Sequence, residues 1–262
     1  MPTPVSSQSQ ALKPDYGIDA PGVVRNLFLV AIFGLAAFFT ARAGLWSGLL
    51  FHVNIAGIGF SAGLGCAFMG AWMLYDSKIG KLKEREELLD RVALTGTEQL
   101  PDLGCGRGLL LVGAARRLSS GKATGLDLWS TEDLSGNSPE ATLENARREG
   151  VLDRVDVRTG DMRTMPFEDA SFDVIVSNVA IHNIYEAAGR AQAMGEIARV
   201  LKPGGRLLIH DIRYIPGYAS ELSKRGFTRV ERHGSRLLRF SLFLLTWGSL
   251  RPDILTAWKP AR

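Results

Sequence analysis

Hydrophobic and polar positions divide the chain into two unequal parts. Residues 27–75 carry a single charged residue, Arg42. Beyond Tyr75, charged and apolar residues alternate at the short periods of ordinary folded protein. Within the first part, Leu27 to Ala41 is apolar apart from Thr40, and Val53 to Tyr75 runs 23 residues without a charge. A helix needs roughly 20 apolar residues to cross a bilayer. The second stretch meets that length, and Arg25 and Arg42 can snorkel outward to extend the first. The pattern predicts a transmembrane helical hairpin over 23–76, preceded by a polar, unstructured lead over 1–22. Gly59 and Gly63, one turn apart in the second span, let a neighbouring helix backbone approach closely.

From residue 77 the pattern changes. Leu82, Leu88, Leu89 and Val92 recur among charges, which predicts an amphipathic linker helix within 77–96. Apolar runs then alternate with helical segments over 97–262. Strands are expected at Leu100–Leu103, Ala123–Leu126, Arg154–Arg158, Phe172–Ser177 and Arg206–His210. Helices are expected at Leu109–Ser119, after the Ser138-Pro139-Glu140 start signal up to Gly150, and at Glu186–Leu201. Such alternation is the signature of an α/β fold: a parallel sheet with helices on both faces.

Composition narrows the classes. Two cysteines, Cys66 and Cys105, exclude a disulfide scaffold and a Cys-rich zinc module. The net charge is only +4. Residues 213–262 are locally basic, with ten Lys and Arg against Glu221, Glu231 and Asp253. The same stretch holds the apolar run Leu237–Trp247, which fits an anionic membrane surface or a buried strand better than nucleic acid. Lys78, Lys81, Lys83 and Arg85 follow the second span, so the positive-inside rule places residue 76 onward on the cytoplasmic side of an integral membrane protein.

The chemistry gathers at strand ends. Asp102-Leu103-Gly104-Cys105-Gly106-Arg107-Gly108 joins a strand to a helix, where a glycine turn lets the backbone approach a ligand. The spacing is G-x-G-x-G, which argues against the dinucleotide G-x-G-x-x-G of a nicotinamide dehydrogenase. Asp102 beside the loop would repel a pyrophosphate and attract an ammonium group. Asp127 ends the next strand, where a carboxylate can hold a ribose diol. Asp161 and Met162 follow the third, an acceptor beside an apolar wall that suits an adenine edge. Ligands of open α/β sheets bind at these carboxyl ends.

Together these segments resemble class I S-adenosylmethionine-dependent methyltransferases, of the type related to ubiquinone/menaquinone methyltransferases. The resemblance spans about Thr97 to Pro260. It rests on Asp102–Gly108, Gly125-Leu126-Asp127, Gly160-Asp161-Met162 with Pro166-Phe167, Ser171–Ile175, and Leu201-Lys202-Pro203-Gly204-Gly205. It implies a Rossmann-like seven-stranded sheet whose last strand, Asp253–Trp258, is antiparallel. It implies S-adenosyl-L-methionine as cofactor. Asp102, Gly104, Cys105, Gly106 and Gly108 would lie along its methionine part, Asp127 and Leu128 at the ribose, Asp161 and Met162 at the adenine, and Asn178 nearby. Pro101 replaces the usual aliphatic residue before Asp102 and removes one strand hydrogen bond.

Ser177–Asn183 follows the fourth strand, where the family's methyl group faces its acceptor. It lacks the Asn/Asp-Pro-Pro-Tyr/Phe motif of exocyclic-amine methyltransferases, which counts against DNA adenine or protein glutamine. Asn178 and His182 are the catalytic candidates. An imidazole ordinarily titrates near 6.5, which suits a general base; His182 equally fits a role in ordering its loop. No carboxylate cluster supports a metal, although Asp211 with Asn178 offers a minimal oxygen pair. The expected partners are the bilayer and a small, hydrophobic or lipid-like acceptor (a quinone or other isoprenoid, a lipid or a thiol), without nucleic acid. A membrane-tethered S-adenosylmethionine-binding module without turnover is the alternative.

Overall fold

The computed structural model describes residues 13–44, 55–234 and 251–261. The apolar run Leu237–Trp247 lies outside them. The chain divides into two compact units: one holds residues 13–15, Arg85–Trp129 and the residues from Ser138 onward, the other Tyr16–Glu84 and Ser130–Asn137.

The second unit contains α1 (Pro21–Arg42) and α2 (Ile55–Tyr75). Both are long and apolar enough to cross a membrane. α1 begins two residues before the hairpin start expected at 23, because Pro21 supplies a pre-set first turn. The helices meet through glycines. A Cβ at Gly34 would stand 2.8 Å from the Gly59 carbonyl oxygen, and one at Gly59 would stand 2.6 Å from that of Gly34. Gly63 lies against Leu35 and Ala31, and the Phe28 ring covers Gly70. Large apolar side chains such as Phe33, Phe39, Phe68 and Trp72 face outward.

After α2 the helix widens into one π-turn, Asp76–Gly80, and continues as α3 (Lys81–Arg91). The Lys81 ammonium, almost wholly buried, donates to the carbonyls of Tyr16 and Gly17 and to the Asp19 carboxylate. Ser77 donates to the same carboxylate. Residues 13–22 therefore depart from the unstructured lead expected of them: their polar groups serve as partners for buried donors, which satisfies both sides.

The first unit is a seven-stranded sheet in the order β3-β2-β1-β4-β5-β7-β6. The strands are β1 (Gln99–Leu103), β2 (Lys122–Asp127), β3 (Val155–Thr159), β4 (Phe172–Asn178), β5 (Leu201–Asp211), β6 (Thr228–Arg232) and β7 (Asp253–Trp258). β1 to β5 pair in parallel, and β7 runs antiparallel to both β5 and β6. The helices are α4 (Leu109–Arg117), α5 (Pro139–Arg148), α6 (Ala187–Val200) and α7 (Ile215–Lys224). β6 and α7 were not expected from the sequence, although α7 has a proline in its first turn and buries Ile215, Tyr218 and Leu222 at helical spacing.

Helices cover both faces. Leu88, Leu89 and Val92 of the linker segment pack with Leu100, Leu110, Val174 and Leu208 on one face. Met194, Ile197, Tyr218 and Leu222 pack with Leu207, Ile209 and Leu255 on the other. The chain reverses its direction of winding between β1 and β4. That switch point opens a crevice outside the carboxyl ends of the two strands, the ligand position of open α/β sheets.

Candidate active site

The loop after β1 is shaped by backbone geometry that only glycine adopts freely. Gly104, Gly106 and Gly108 have φ of 72°, 53° and 85°. At Gly104 space is also absent: a Cβ would lie 2.2 Å from the Ala180 Cβ and 3.5 Å from the Met162 methyl group. The turn after β4 thus packs directly on the glycine loop, and Met162 closes the same corner.

Asp127 at the end of β2 is fixed by the loop. Its Oδ2 accepts the Gly106 N–H at 2.7 Å, and its Oδ1 accepts the Trp129 N–H at 2.6 Å. Leu128 beside it is 64% exposed. α5 props the loop from behind. Thr142 Oγ1 donates to the Gly106 carbonyl at 2.7 Å, and Asn145 Nδ2 donates to that of Arg107 at 2.9 Å. α5 starts as its signal predicts, with Ser138 Oγ accepting the Ala141 N–H at 3.2 Å.

Arg107, inside the loop, reaches Asp15. Its Nε donates to the Asp15 carbonyl at 2.8 Å and its Nη2 to the Asp15 carboxylate at 3.1 Å. Asn145 binds the same residue twice, accepting the Asp15 N–H and donating to its carbonyl. Thr142, Asn145 and Asp15 are therefore loop supports that motif reading misses. The polar residues one turn apart on the inner face of α5 were the available signal.

Asp102 is the least conventional group. It is 1% exposed, its Oδ2 accepts the Leu111 N–H at 2.9 Å, and its Oδ1 has no partner. Burial, reinforced by the nearby Asp127 charge, pushes its carboxyl up to about 7. The Cys105 thiol donates weakly to the Gly106 carbonyl of the loop at 3.8 Å. It packs among Leu111, Val112 and Ala123, and burial raises it well above the usual thiol range.

Asp161 stands two residues beyond β3, in a turn. The Arg163 guanidinium grips both of its oxygens, at 2.9 Å and 2.6 Å to Oδ2, and holds it below the usual carboxylate range. Sequence reading gave Asp161 no such partner.

The turn after β4 carries the remaining candidates. Asn178 Oδ1 and His210 Nδ1 are 2.8 Å apart. Val179 adopts φ 50°, a strained value for a β-branched residue. His182 Nδ1 lies 2.6 Å from Asp211 Oδ1, and its backbone N–H donates to Asp211 Oδ2 at 3.0 Å. Asp211 therefore serves His182, not a shared oxygen site with Asn178. Arg190 on α6 stacks 3.7 Å above the Tyr214 ring and donates to the carbonyls of Ile184 and Tyr185, which fixes the far end of the turn.

Comparison with known proteins agrees with this architecture. Residues 101–209 match the family model described as a methyltransferase domain. Over those residues the chain is similar to a methyltransferase domain. It is 36% identical over 127 residues to the methyltransferase GfsG of Streptomyces halstedii, covering 48% of this chain and 42% of that one. It is 30% identical over 137 residues to the ubiquinone/menaquinone biosynthesis C-methyltransferase UbiE of Roseobacter denitrificans, covering 52% and 51%. The chain thus spans about half the length of these curated relatives. Geranyl diphosphate C-methyltransferase from Streptomyces coelicolor, solved with Mg2+, geranyl diphosphate and S-adenosyl-L-homocysteine, superposes with a TM-score of 0.54. At 17% identity, over 68% of this chain and 78% of that one, that likeness establishes the fold.

The residues at the switch point fit S-adenosylmethionine. Asp102 Oδ1 is an orphaned buried acceptor next to the loop, suited to an ammonium directly or through water. Gly104, Ala180 and Met162 form a cradle too tight for any side chain at residue 104.

Proposed function

We propose that this chain is an S-adenosylmethionine-dependent methyltransferase, anchored by its apolar hairpin, that methylates a small hydrophobic acceptor. The observation that carries the reading is the alignment of Asp127 on the Gly106 N–H at the switch point, with the orphaned Asp102 oxygen behind it. Asp102 and the backbone of Gly104–Gly108 would hold the methionine end. Asp127, with Leu128 beside it, would take the ribose hydroxyls, Met162 would line the adenine, and Asp161 would accept from its edge while keeping Arg163. When bound, the cofactor supplies a sulfonium-activated methyl group.

Methyl transfer asks the protein mainly for alignment and exclusion of water. Asn178, held by His210, and His182, held by Asp211, stand where the acceptor would meet that methyl group. The two apolar helices support an acceptor taken from the bilayer or its interface, and the Lys and Arg after α2 support a catalytic body on the cytoplasmic side. Relatives named for quinone and sterol methylation favour a quinone or other isoprenoid over a polar metabolite.

The test is methyl transfer from labelled S-adenosylmethionine in native membranes, comparing the wild type with Asp127→Ala and partitioning the products. Wild-type-dependent label in the organic phase supports the proposal. Label confined to the aqueous phase removes the hydrophobic acceptor, and equal label with Asp127→Ala removes the site.

A further inference from the structure

Arg190 carries its charge without a counter-ion. The side chain is half-buried, and no carboxylate among the described residues pairs with it. The Glu186 carboxylate, four residues earlier, lies near Arg163 instead. The Asp211 oxygens are taken by His182, Ile212 and Tyr218. Outside the described residues, 1–12, 45–54, 235–250 and 262 contain no Asp or Glu, so the chain has no further acidic side chain to offer. A cation taken partly out of water with no opposite charge beside it is costly, and a bound anion offsets that cost.

The guanidinium is nevertheless held in place. Nη1 donates to the carbonyls of Ile184 and Tyr185 at 2.7 Å and 2.8 Å, and the group stacks 3.7 Å above the Tyr214 ring. All three partners are neutral, so they orient the charge and do not cancel it. Only Nη1 is spent. Nε and Nη2 have no partner among the described residues, and their parallel N–H groups are the fork that matches two oxygens of an oxyanion. A lysine could hold the two carbonyls; a guanidinium holds them and keeps a fork to spare.

Its position suits an acceptor. Ile184 and Tyr185 end the turn after β4, which packs on the glycine loop through Ala180, and Tyr214 caps α7 just beyond β5. The cation therefore stands between the loops that follow β4 and β5. Tyr185 is 88% exposed and Tyr214 41%. Open aromatic surface beside one fixed, uncompensated cation fits a molecule with a single anionic group on an apolar body.

Resting on the methyl-transfer reading, we propose that the Nε–Nη2 edge of Arg190 binds an oxyanion of the acceptor, a carboxylate or a phosphate, with Tyr185 and Tyr214 against the apolar part next to it. The hydrophobic acceptor is then an amphiphilic acid. Arg190 selects and orients it, and takes no part in holding the cofactor.

The test is calorimetric binding to the full chain in lipid nanodiscs, saturated with S-adenosylhomocysteine. Two pairs of probes are compared: a prenylated hydroxybenzoate with its methyl ester, and a prenyl monophosphate with its alcohol. At least one acid binds about 10–100-fold more tightly than its neutral partner, the worth of a charge-assisted fork. The pair with the larger ratio tells carboxylate from phosphate. Arg190→Gln abolishes the preference. Arg190→Lys, which keeps the charge and loses the fork, lowers it severalfold. Arg213→Gln, at an exposed arginine beside Tyr214, leaves it unchanged. Unchanged affinity for S-adenosylhomocysteine in each variant reports an intact fold. If Arg190 only clamped the turn, Arg190→Gln would weaken acid and neutral probe alike and the ratio would stay.

Equal binding of acid and neutral probes by the wild type overturns the inference. So does a preference that survives Arg190→Gln or is lost in Arg213→Gln, and so does the absence of saturable binding by either acid. A wild type that does not bind S-adenosylhomocysteine refutes the methyl-transfer reading instead, and the ratios measured without it still decide the role of Arg190.

Discussion

Gly106 donates its backbone N–H to the Asp127 carboxylate across 2.7 Å, tying the glycine loop to the end of the neighbouring strand. The Trp129 N–H binds the other oxygen, so the carboxylate aligns two loops at once. Asp127→Ala should therefore lower affinity for S-adenosylhomocysteine by about 10–100-fold, the loss of one or two charge-assisted bonds. Asp127→Asn should not restore it, because its amide NH2 must face one of the two N–H donors. Isothermal titration of the three proteins checks both statements.

Asp102 links cofactor binding to pH. Its carboxyl is raised by burial to about 7, so at neutral pH a large share of the free protein carries a proton there. An ammonium beside it favours the ionised form. Affinity for S-adenosylhomocysteine should accordingly rise between pH 6 and 8, with proton release that Asp102→Asn abolishes; calorimetry in buffers of different ionisation enthalpy reads it. The stability sign is opposite. Between the ordinary value of 3.8 and about 7 the folded chain keeps a proton that the unfolded chain has lost. Stability from this group is complete below that window and declines as pH rises through it. The difference between wild type and Asp102→Asn in thermal melts without cofactor should follow that course.

Gly104→Ala should abolish binding without unfolding the sheet. The left-handed backbone costs about 1–3 kcal/mol for a side chain, and the new methyl group would meet Ala180. Circular dichroism should stay near wild type while S-adenosylhomocysteine binding falls at least tenfold. Retained binding would refute the packing of the turn on the loop.

Glu98 provides an acid-sensitive brace. Burial alone would raise it, but the N–H and hydroxyl of Thr95 and the N–H of Gly96 outweigh burial and hold it at about 2. Arg206 adds an ion pair. Its stabilisation is full above the ordinary value of 4.5 and fades as pH falls toward about 2. Glu98→Gln should cost about 1–3 kcal/mol at pH 7, and denaturant midpoints of the two proteins should converge in acid.

The hairpin predicts its own cross-link. The tip of the Phe28 ring covers Gly70, so in a Cys66→Ser background a Phe28→Cys, Gly70→Cys pair should be joined by a short bifunctional maleimide in native membranes. Adding Gly59→Leu, which has no room against Gly34, should reduce its yield severalfold. An unchanged yield would remove the glycine seam.

The shape of the glycine loop and the place of its flanking acids were legible in the sequence because they are set locally. Positive φ demands glycine at 104, 106 and 108, and strand ends place Asp102 and Asp127. The start of α5 was legible in Ser138-Pro139 for the same reason. The partnerships were not. His182 and Asp211 stand 29 residues apart, and only the β4–β5 register joins them. Asp161 reads as a free acceptor until Arg163 folds back on it. Tyr218 lies on a helix whose buried face, Ile215, Tyr218 and Leu222, was readable at helical spacing but was passed over, and the polar lead hides the Pro21 start of α1.

The Asp15 contacts set the order in which the molecule can be completed. Asp15 bonds to Asn145, a residue 130 positions later, with both apolar helices lying between them in the chain. During synthesis those helices leave the ribosome long before Asn145 exists. The early segment must wait, and loop closure over such a separation is slow compared with local helix formation. The Asn145 bonds that hold Asp15 in place under Arg107 therefore cannot close until α5 has been made.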